Sequence, residues 1–123
     1  MSRYLIPLLA LLVHSAANAD DCDLQKGGRS FANKCAICHE TAAGAAHTVG
    51  PNLHGVAGRA VGQAAGFTYS AALASADGSW DDARLDAFLA APNKALPGTA
   101  MPFQGLKSAV ERRHLICFIN TLK

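Results

Sequence analysis

The sequence lacks an apolar run long enough to cross a lipid bilayer. Its longest such stretch, Leu5 to Val13, has about nine residues with Pro7 among them, whereas a spanning helix needs roughly 20. It also lacks a strong charge of one sign. The formal net charge of +2 excludes a basic nucleic-acid binder that neutralises many phosphates. With 50% hydrophobic residues in 123, the chain is too apolar to be disordered and long enough for one domain.

Sustained period-2 alternation is absent too, as are internal repeats and low-complexity tracts. We predict an all-α protein, because apolar residues and glycines recur at helical spacing near both chain ends. They are Leu24, Gly27, Gly28 and Phe31 near the start, and Leu115, Phe118, Ile119 and Leu122 near the end. Each glycine costs a helix about 1 kcal/mol relative to alanine, which suggests that a second helix crosses closely there. The last helix is the candidate.

Capping boxes predict where two helices begin. They are Ser108 with Glu111 for the last helix and, more weakly, Ser79 with Asp82 for a third. This third helix is predicted over about residues 81–90, with Pro92 ending it. Long loops rich in glycine and proline separate the helices, so the core is thin. We expect something besides side chains to fill it.

Residues 1–19 are typical of a cleaved secretory signal peptide. Arg3 supplies a positive start, an apolar stretch follows, and Ala17-Asn18-Ala19 has the small-x-small pattern that signal peptidase reads. Cleavage after Ala19 would leave residues 20–123 as a single exported domain. An uncleaved anchor is the alternative, but the apolar stretch is too short for one.

The motif Cys35-Ala36-Ile37-Cys38-His39 predicts covalent attachment of one haem. Two thiols three residues apart can form thioethers with the two vinyl groups of a haem, and the adjacent imidazole can bind the iron. A redox-active pair of cysteines is expected next to a βαβ unit, and the sequence shows no βαβ pattern. A zinc site would want a second Cys/His pair, and a simple disulfide would leave His39 without a role.

Met101 is the candidate for the second axial ligand of that iron. It lies in Pro97-Gly98-Thr99-Ala100-Met101-Pro102, a stiff non-helical loop that can present one side chain at low entropic cost. Met101 as an ordinary core residue is the alternative. Three histidines are weaker candidates for the same role: His47, His54 and His114.

These residues together resemble class I cytochrome c, the small mitochondrial and bacterial type, over nearly all of residues 20–123. The motifs that carry the resemblance are Gly27 and Phe31, Cys35 to His39, Gly50-Pro51-Asn52-Leu53-His54-Gly55, Arg59, Gly66-Phe67-Thr68-Tyr69, Trp80, Pro97 to Met101, and Leu115 with Phe118. The resemblance implies a cytochrome c fold, with three to five short helices and long loops wrapped around one covalent haem c. It also implies that the terminal helices cross.

The resemblance assigns roles to the site residues. It implies Cys35 and Cys38 as the attachment points and His39 and Met101 as the axial ligands, with the carbonyl of the residue matching Pro51 steadying the axial imidazole. The positions that hold the haem propionates in the family match Arg59, Tyr69 and Trp80, which suits carboxylates that need donors or a cation.

Three features depart from the family pattern. Leu73 stands where relatives often have an asparagine that reaches a propionate. Phe88 stands where many have a tyrosine whose hydroxyl contacts the methionine sulfur. Cys22 and Cys117 are additional, and crossing terminal helices would bring them close enough for a disulfide. Two free thiols are the alternative, because the sequence does not fix their Cα separation.

The resemblance implies a soluble electron carrier of the periplasm or respiratory chain, and not an enzyme. We expect a monomer without stable membrane insertion or nucleic-acid partners, which docks redox proteins near the exposed haem edge. Its basic residues there would be Arg29, Lys34, Lys94 and Lys107. This set is thinner than in basic relatives, which predicts weaker and less salt-sensitive steering. A haem subunit docked to one dehydrogenase or oxidase is one alternative. An open-iron enzyme or gas sensor is the other, if Met101 does not bind.

Overall fold

Short helices separated by long loops make up this computed structural model, which describes Met1 and residues 21–123. The predicted signal peptide therefore lies, apart from Met1, outside the described residues. In chain order the helices of the described part are α1 (Leu24–Lys34), α2 (Ala71–Ala74), α3 (Asp82–Ala90), α4 (Pro92–Ala95) and α5 (Ala109–Ile119). The same part contains one isolated β-bridge, between Ala60 and Ser79. The all-α prediction is confirmed.

The two terminal helices, α1 and α5, cross at close range, as the glycines of α1 predicted. A Cβ on Gly27 would overlap the backbone carbonyl of His114 in α5. Beside this crossing the rings of Phe31 and Phe118 lie 5.4 Å apart, and Leu115 is fully buried. The prediction that the apolar face of α1 includes Leu24 is wrong, because Leu24 is half exposed. Helix α5 covers the later turns of α1 and not the first.

Helix α3 begins with a different cap from the one predicted. The carboxylate of Asp81 accepts a hydrogen bond from Arg84 N at 2.7 Å, so Asp81 is the N-cap and the Ser79–Asp82 box does not form. A carboxylate one residue before the helix also benefits from the helix dipole. Pro92 ends α3 as predicted, but it also begins α4, since proline at the first helical position sacrifices no hydrogen bond.

Helix α5 begins at the predicted serine. Ser108 Oγ accepts a hydrogen bond from Glu111 N at 3.2 Å. The second half of the capping box is missing, because the Glu111 carboxylate turns to α1. There it accepts hydrogen bonds from Ser30 Oγ at 2.9 Å and Lys34 Nζ at 2.6 Å. Glu111 therefore ties the two terminal helices together.

A disulfide joins Cys22, just before α1, to Cys117 in α5. Their Cα atoms lie 5.7 Å apart, within the range that a disulfide spans. The bridge links positions separated by 95 residues, so it ties the start of α1 to the end of the chain. The sequence left open whether Cys22 and Cys117 form a disulfide or remain two free thiols, and the structure has the disulfide.

No helix among the described residues is both long and apolar enough to cross a membrane.

Gly27 and Gly28 offer a matched pair of tests for the helix crossing. We expect Gly27→Ala to destabilise the protein by about 1–3 kcal/mol, because its new methyl group would overlap backbone that cannot move aside easily. Gly28→Ala would meet the Phe118 ring at an ordinary 3.4 Å and should be neutral or stabilising by up to about 1 kcal/mol. Urea unfolding measures both, and equal effects would contradict the close crossing.

Removal of the disulfide should lower the free energy of unfolding substantially. The double variant Cys22→Ser/Cys117→Ser is expected to lose about 3–5 kcal/mol, because the reduced chain gains the entropy of a long open loop. Denaturant unfolding measures the loss. Ser30→Ala, which removes one contact between the same helices, serves as the control and should cost far less. A thiol assay that finds Cys22 and Cys117 reactive in the purified protein would refute the bridge.

Candidate functional site

A cavity of about 350 Å³ lies in the middle of the molecule, between the helices and the long loops. Its inner walls are mainly apolar and include Phe31, Val56, Leu85, Phe88, Leu89 and Ile119. All eight predicted cofactor-binding residues line it: Cys35, Cys38, His39, Pro51, Arg59, Tyr69, Trp80 and Met101. The fold thus brings together side chains that lie up to 66 positions apart (101 − 35) in the sequence.

The cysteine motif occupies the turn that follows α1. Cys35 is the C-cap of α1, and its carbonyl accepts hydrogen bonds from Cys38 N and His39 N, both at 3.0 Å. Neither cysteine takes part in the Cys22–Cys117 disulfide. Burial raises the pKa of the Cys35 thiol to about 11, so this group stays protonated at neutral pH and is not a preformed thiolate for redox exchange or metal binding.

The imidazole of His39 is held by the backbone of Pro51. His39 Nδ1 lies 2.8 Å from the Pro51 carbonyl oxygen, so a proton on Nδ1 is donated there and the lone pair of Nε2 is left for a metal. Burial lowers the pKa of His39, although this hydrogen bond acts in the opposite direction. The neutral ring is therefore favoured, which is the form that binds metals.

Gly50 has a role here that the sequence analysis missed. A Cβ at this position would overlap the His39 ring, so a residue with a side chain would displace the imidazole from the Pro51 carbonyl. The sequence did carry a signal for this role, because Gly50 directly precedes Pro51, the residue expected to orient His39. Sequence reasoning did not show that the backbone would pass so close to the ring.

One wall of the cavity is polar. Hydrogen bonds from Trp80 N to Arg59 O at 2.9 Å and from Gly58 N to Trp80 O at 2.8 Å hold Arg59 and Trp80 side by side. Arg59 Nη1 donates to the carbonyl of His54 at 3.3 Å, whereas its Nε is buried without a protein partner. The Tyr69 hydroxyl lies 3.0 Å from Ala64 N. A cation with a free donor in this wall fits an anionic group, such as a carboxylate, better than an apolar one.

Met101 lies in the stiff loop that the sequence predicted. Its backbone N–H reaches Thr99 Oγ1 at 3.5 Å, its carbonyl accepts from Phe103 N at 2.9 Å, and Gly98 takes a positive φ of 89°. The side chain of Met101 is partly buried against the core and lines the cavity. A thioether presented in this way can serve as a soft ligand.

The three alternative histidine ligands lie elsewhere, since none of them lines the cavity. His47 Nε2 lies 2.8 Å from the Ala65 carbonyl, and His54 Nδ1 lies 3.2 Å from that of Thr41. His114 is buried and accepts a hydrogen bond from Asp23 N at 3.1 Å. The geometry therefore favours Met101 over these residues as the partner of His39.

Two thiols, an imidazole and a thioether around an apolar cavity with one cationic wall define a haem-binding protein of the c type. The family model described as cytochrome c matches residues 24–123. Cytochrome c of Ulva intestinalis is 46% identical over 104 residues, which is 85% of this chain and 94% of that protein. Cytochrome c of Chlamydomonas reinhardtii is 44% identical over 104 residues, 85% of this chain and 93% of the relative.

A bacterial relative is similar over almost the same length. Cytochrome c2 of Rhodoblastus acidophilus is 41% identical over 96 residues, which is 78% of this chain and 90% of that protein. The chain therefore belongs to the cytochrome c family. As a member it carries one covalent haem c and is an electron carrier rather than an enzyme, and its partners are redox proteins.

All four members of the expected basic ring are exposed, and one of them is paired with a carboxylate. Lys34 lines the cavity and forms a salt bridge with Glu111 at 2.6 Å. Arg29, Lys94 and Lys107 are exposed and do not line the cavity. One of the four expected positive charges is therefore offset by a carboxylate.

The salt bridge should stabilise the fold in a pH-dependent way. The hydrogen bonds from Lys34 and then Ser30 hold the pKa of Glu111 below its usual 4.5. Their contribution is therefore complete above pH 4.5 and is lost as the pH falls through the lowered pKa. We expect Glu111→Gln to lose about 0.5–1 kcal/mol at pH 7, and the gap to the parent protein to close at an acidic pH well below 4.5, once the carboxylate is protonated.

Urea unfolding at the two pH values measures this gap. Glu40→Gln is the matched control, because Glu40 is exposed and belongs to neither salt bridge of the described residues. A gap that persisted at low pH would contradict the assignment.

Proposed function

We propose that the chain is an exported, soluble, monomeric electron carrier of the periplasm whose haem iron is held by His39 and Met101. Cys35 and Cys38 would attach the haem through thioethers. When bound, the haem accepts and releases one electron at a time. The observation that carries the proposal is the placement of these four side chains around one cavity that has otherwise mainly apolar walls.

The remaining site residues would orient the His39 ring, hold the haem propionates and keep water away from the haem. Pro51 keeps the His39 ring in the orientation and tautomer that an axial ligand needs. Arg59, Tyr69 and Trp80 would hold the haem propionates, for which Arg59 offers a buried donor with no protein partner. The apolar walls exclude water, which tunes the potential and limits side reactions. With both axial positions filled by protein, no coordination position is left for a substrate.

Export rests on the sequence pattern of residues 1–19. A cleaved secretory signal favours a bacterial periplasm over the mitochondrial intermembrane space, and the family includes bacterial carriers such as cytochrome c2. An oxidising compartment also suits the Cys22–Cys117 disulfide. N-terminal sequencing of protein recovered from the periplasmic fraction should begin at Asp20. A sequence that began at Met1 or Ser2 would refute cleavage.

Loss of the Met101 thioether should open the iron. We expect Met101→Ala to lose the low-spin spectrum of a six-coordinate haem and, once reduced, to bind carbon monoxide readily. The control is His54→Ala, which removes a histidine that does not line the cavity and should leave the spectrum unchanged. An unaltered spectrum of Met101→Ala would exclude this residue as the ligand. If His54→Ala opened the iron instead, the ligand assignment would change.

The missing hydroxyl at Phe88 should be detectable as a change in redox potential. Phe88 is buried, lines the cavity and packs against Trp80 with ring centroids 5.0 Å apart. Phe88→Tyr would offer the Met101 sulfur a hydrogen bond, which weakens its donation to the oxidised iron, so we expect a higher midpoint potential. Phe67→Tyr, at a half-exposed position of the same cavity, is the control. Equal midpoint potentials of Phe88→Tyr and the parent protein would overturn the prediction.

A further inference from the structure

A second groove, of about 470 Å³, lies between α1 and α5, outside the central cavity. Three basic side chains of α1 line it: Lys26, Arg29 and Lys34. The other wall belongs to α5 and includes its N-cap Ser108 and the imidazole of His114. Of the described residues that line it, only Lys34 also lines the central cavity. We call this second site the interhelical groove.

Two of the three cations in the interhelical groove are unpaired. Glu111 supplies the one carboxylate among the described residues that line it. This carboxylate already accepts hydrogen bonds from Lys34 Nζ at 2.6 Å and from Ser30 Oγ at 2.9 Å. Lys26 and Arg29 belong to neither salt bridge of the described part of the chain. The groove therefore presents an excess of positive charge.

A buried hydrogen-bond donor faces the same groove. His114 is only 8% exposed, yet it lines the groove. Its Nδ1 accepts the backbone N–H of Asp23 at 3.1 Å, so the proton of the neutral ring is on Nε2. Nε2 has no hydrogen-bond partner among the residues that the structure describes. Because a buried polar group without a partner is costly, this N–H points to a ligand.

The beginning of α5 adds backbone donors to the groove. Ser108 Oγ accepts from Glu111 N at 3.2 Å, but the N–H groups of Ala109 and Val110 donate to no described residue. They are two of the four N–H groups that a helix leaves free at its start, where its dipole favours negative charge. Cations on α1 and N–H donors on α5 therefore line one groove together.

We propose that the interhelical groove binds a phosphate-type oxyanion. Lys26 and Arg29 would balance its charge, and the guanidinium can donate two parallel N–H groups to it. His114 Nε2 and the first turn of α5 would donate from the other wall. A phosphate group carries acceptor oxygens on all sides and can accept from both helices at once, whereas a carboxylate has its two oxygens on one side.

The inference goes beyond electron transfer and does not depend on it, because the donors named here lie outside the haem site. The shared chemistry is a phosphate group, either free or as an ester of a larger molecule. The groove is roomy enough that a second, linked phosphate group would find further donors. Pyrophosphate is therefore expected to bind more tightly than inorganic phosphate.

The test is an NMR titration of the haem-loaded, reduced protein at constant ionic strength, set with sodium chloride so that general screening does not change. Four probes are added separately: inorganic phosphate, pyrophosphate, glycerol 3-phosphate and malonate. Spectra of the backbone amides and of the histidine ring nitrogens follow each addition. Glycerol 3-phosphate represents a phosphate ester, and malonate is a dianion that carries carboxylates instead of phosphate.

We expect the signals of His114 Nε2, Ala109 N and Val110 N to shift and to saturate with phosphate, with a dissociation constant below about 10 mM. Pyrophosphate should give a lower dissociation constant, and malonate one at least about fivefold higher than phosphate. Saturation by glycerol 3-phosphate as well would extend the site to esters, whereas saturation by phosphate and pyrophosphate alone would support a site for the free anion.

Variants separate a built site from general attraction to a positive protein. Lys26→Gln and Arg29→Gln should each raise the dissociation constant for pyrophosphate about fivefold, since each removes a charged hydrogen-bond donor. Lys94→Gln and Lys123→Gln are the matched controls, because they remove the same charge from exposed positions outside the groove. They should change it by less than about twofold.

Four results would overturn the proposal. The first is a lack of saturation below about 20 mM for either phosphate or pyrophosphate, and the second is an equal effect of the groove and control variants. The third is a His114 ring that carries its proton on Nδ1, because the groove would then lack its buried donor. The fourth is binding of malonate as tight as that of phosphate, which would exclude a site built for phosphate.

Discussion

The close packing of α1 on α5 is the contact on which the other features of the structure depend. Gly27 lets the helices approach until backbone meets backbone, Phe31 packs on Phe118 beside it, and the Cys22–Cys117 disulfide holds one end. Because the cysteine turn begins at Cys35, the C-cap of α1, this packing also fixes where the thiols and His39 lie. The two ends of the chain therefore build the attachment side of the site.

The middle of the chain builds the opposite side with loops rather than helices. Hydrogen bonds from backbone groups hold the side chains that matter, as Pro51 holds His39 and the pairing of residues 58–61 with 78–80 holds Arg59 beside Trp80. Loops fixed in this way can place an imidazole, a guanidinium and a thioether around one cavity. Rigid placement of the iron ligands suits an electron carrier. Electron transfer is fast when the geometry of the site hardly changes between the oxidised and the reduced state.

The three longer helices could be located from the sequence, because helical spacing and caps are local signals, whereas the four-residue helices α2 and α4 were not located. Helical spacing located α1 and α5, and a cysteine pair followed by histidine is specific enough to identify the attachment turn. Features set by tertiary contacts were harder to predict. The exposure of Leu24 and the contact between Gly50 and His39 depend on which segment packs where, whereas the cap at Asp81 is a local hydrogen bond that the prediction of Ser79 as the cap missed. Likewise, the Cys22–Cys117 disulfide could not be predicted without the distance between the two Cα atoms.

We propose that His39 and Met101 together occupy both axial positions of one covalent haem. An optical spectrum of the purified parent protein, oxidised and reduced, with carbon monoxide added to the reduced sample, tests this ligand pair. We expect sharp low-spin bands that the gas does not shift, because Met101 is held in place by its stiff loop. High-spin bands or a spectrum shifted by the gas would show an open iron and contradict the assignment of Met101.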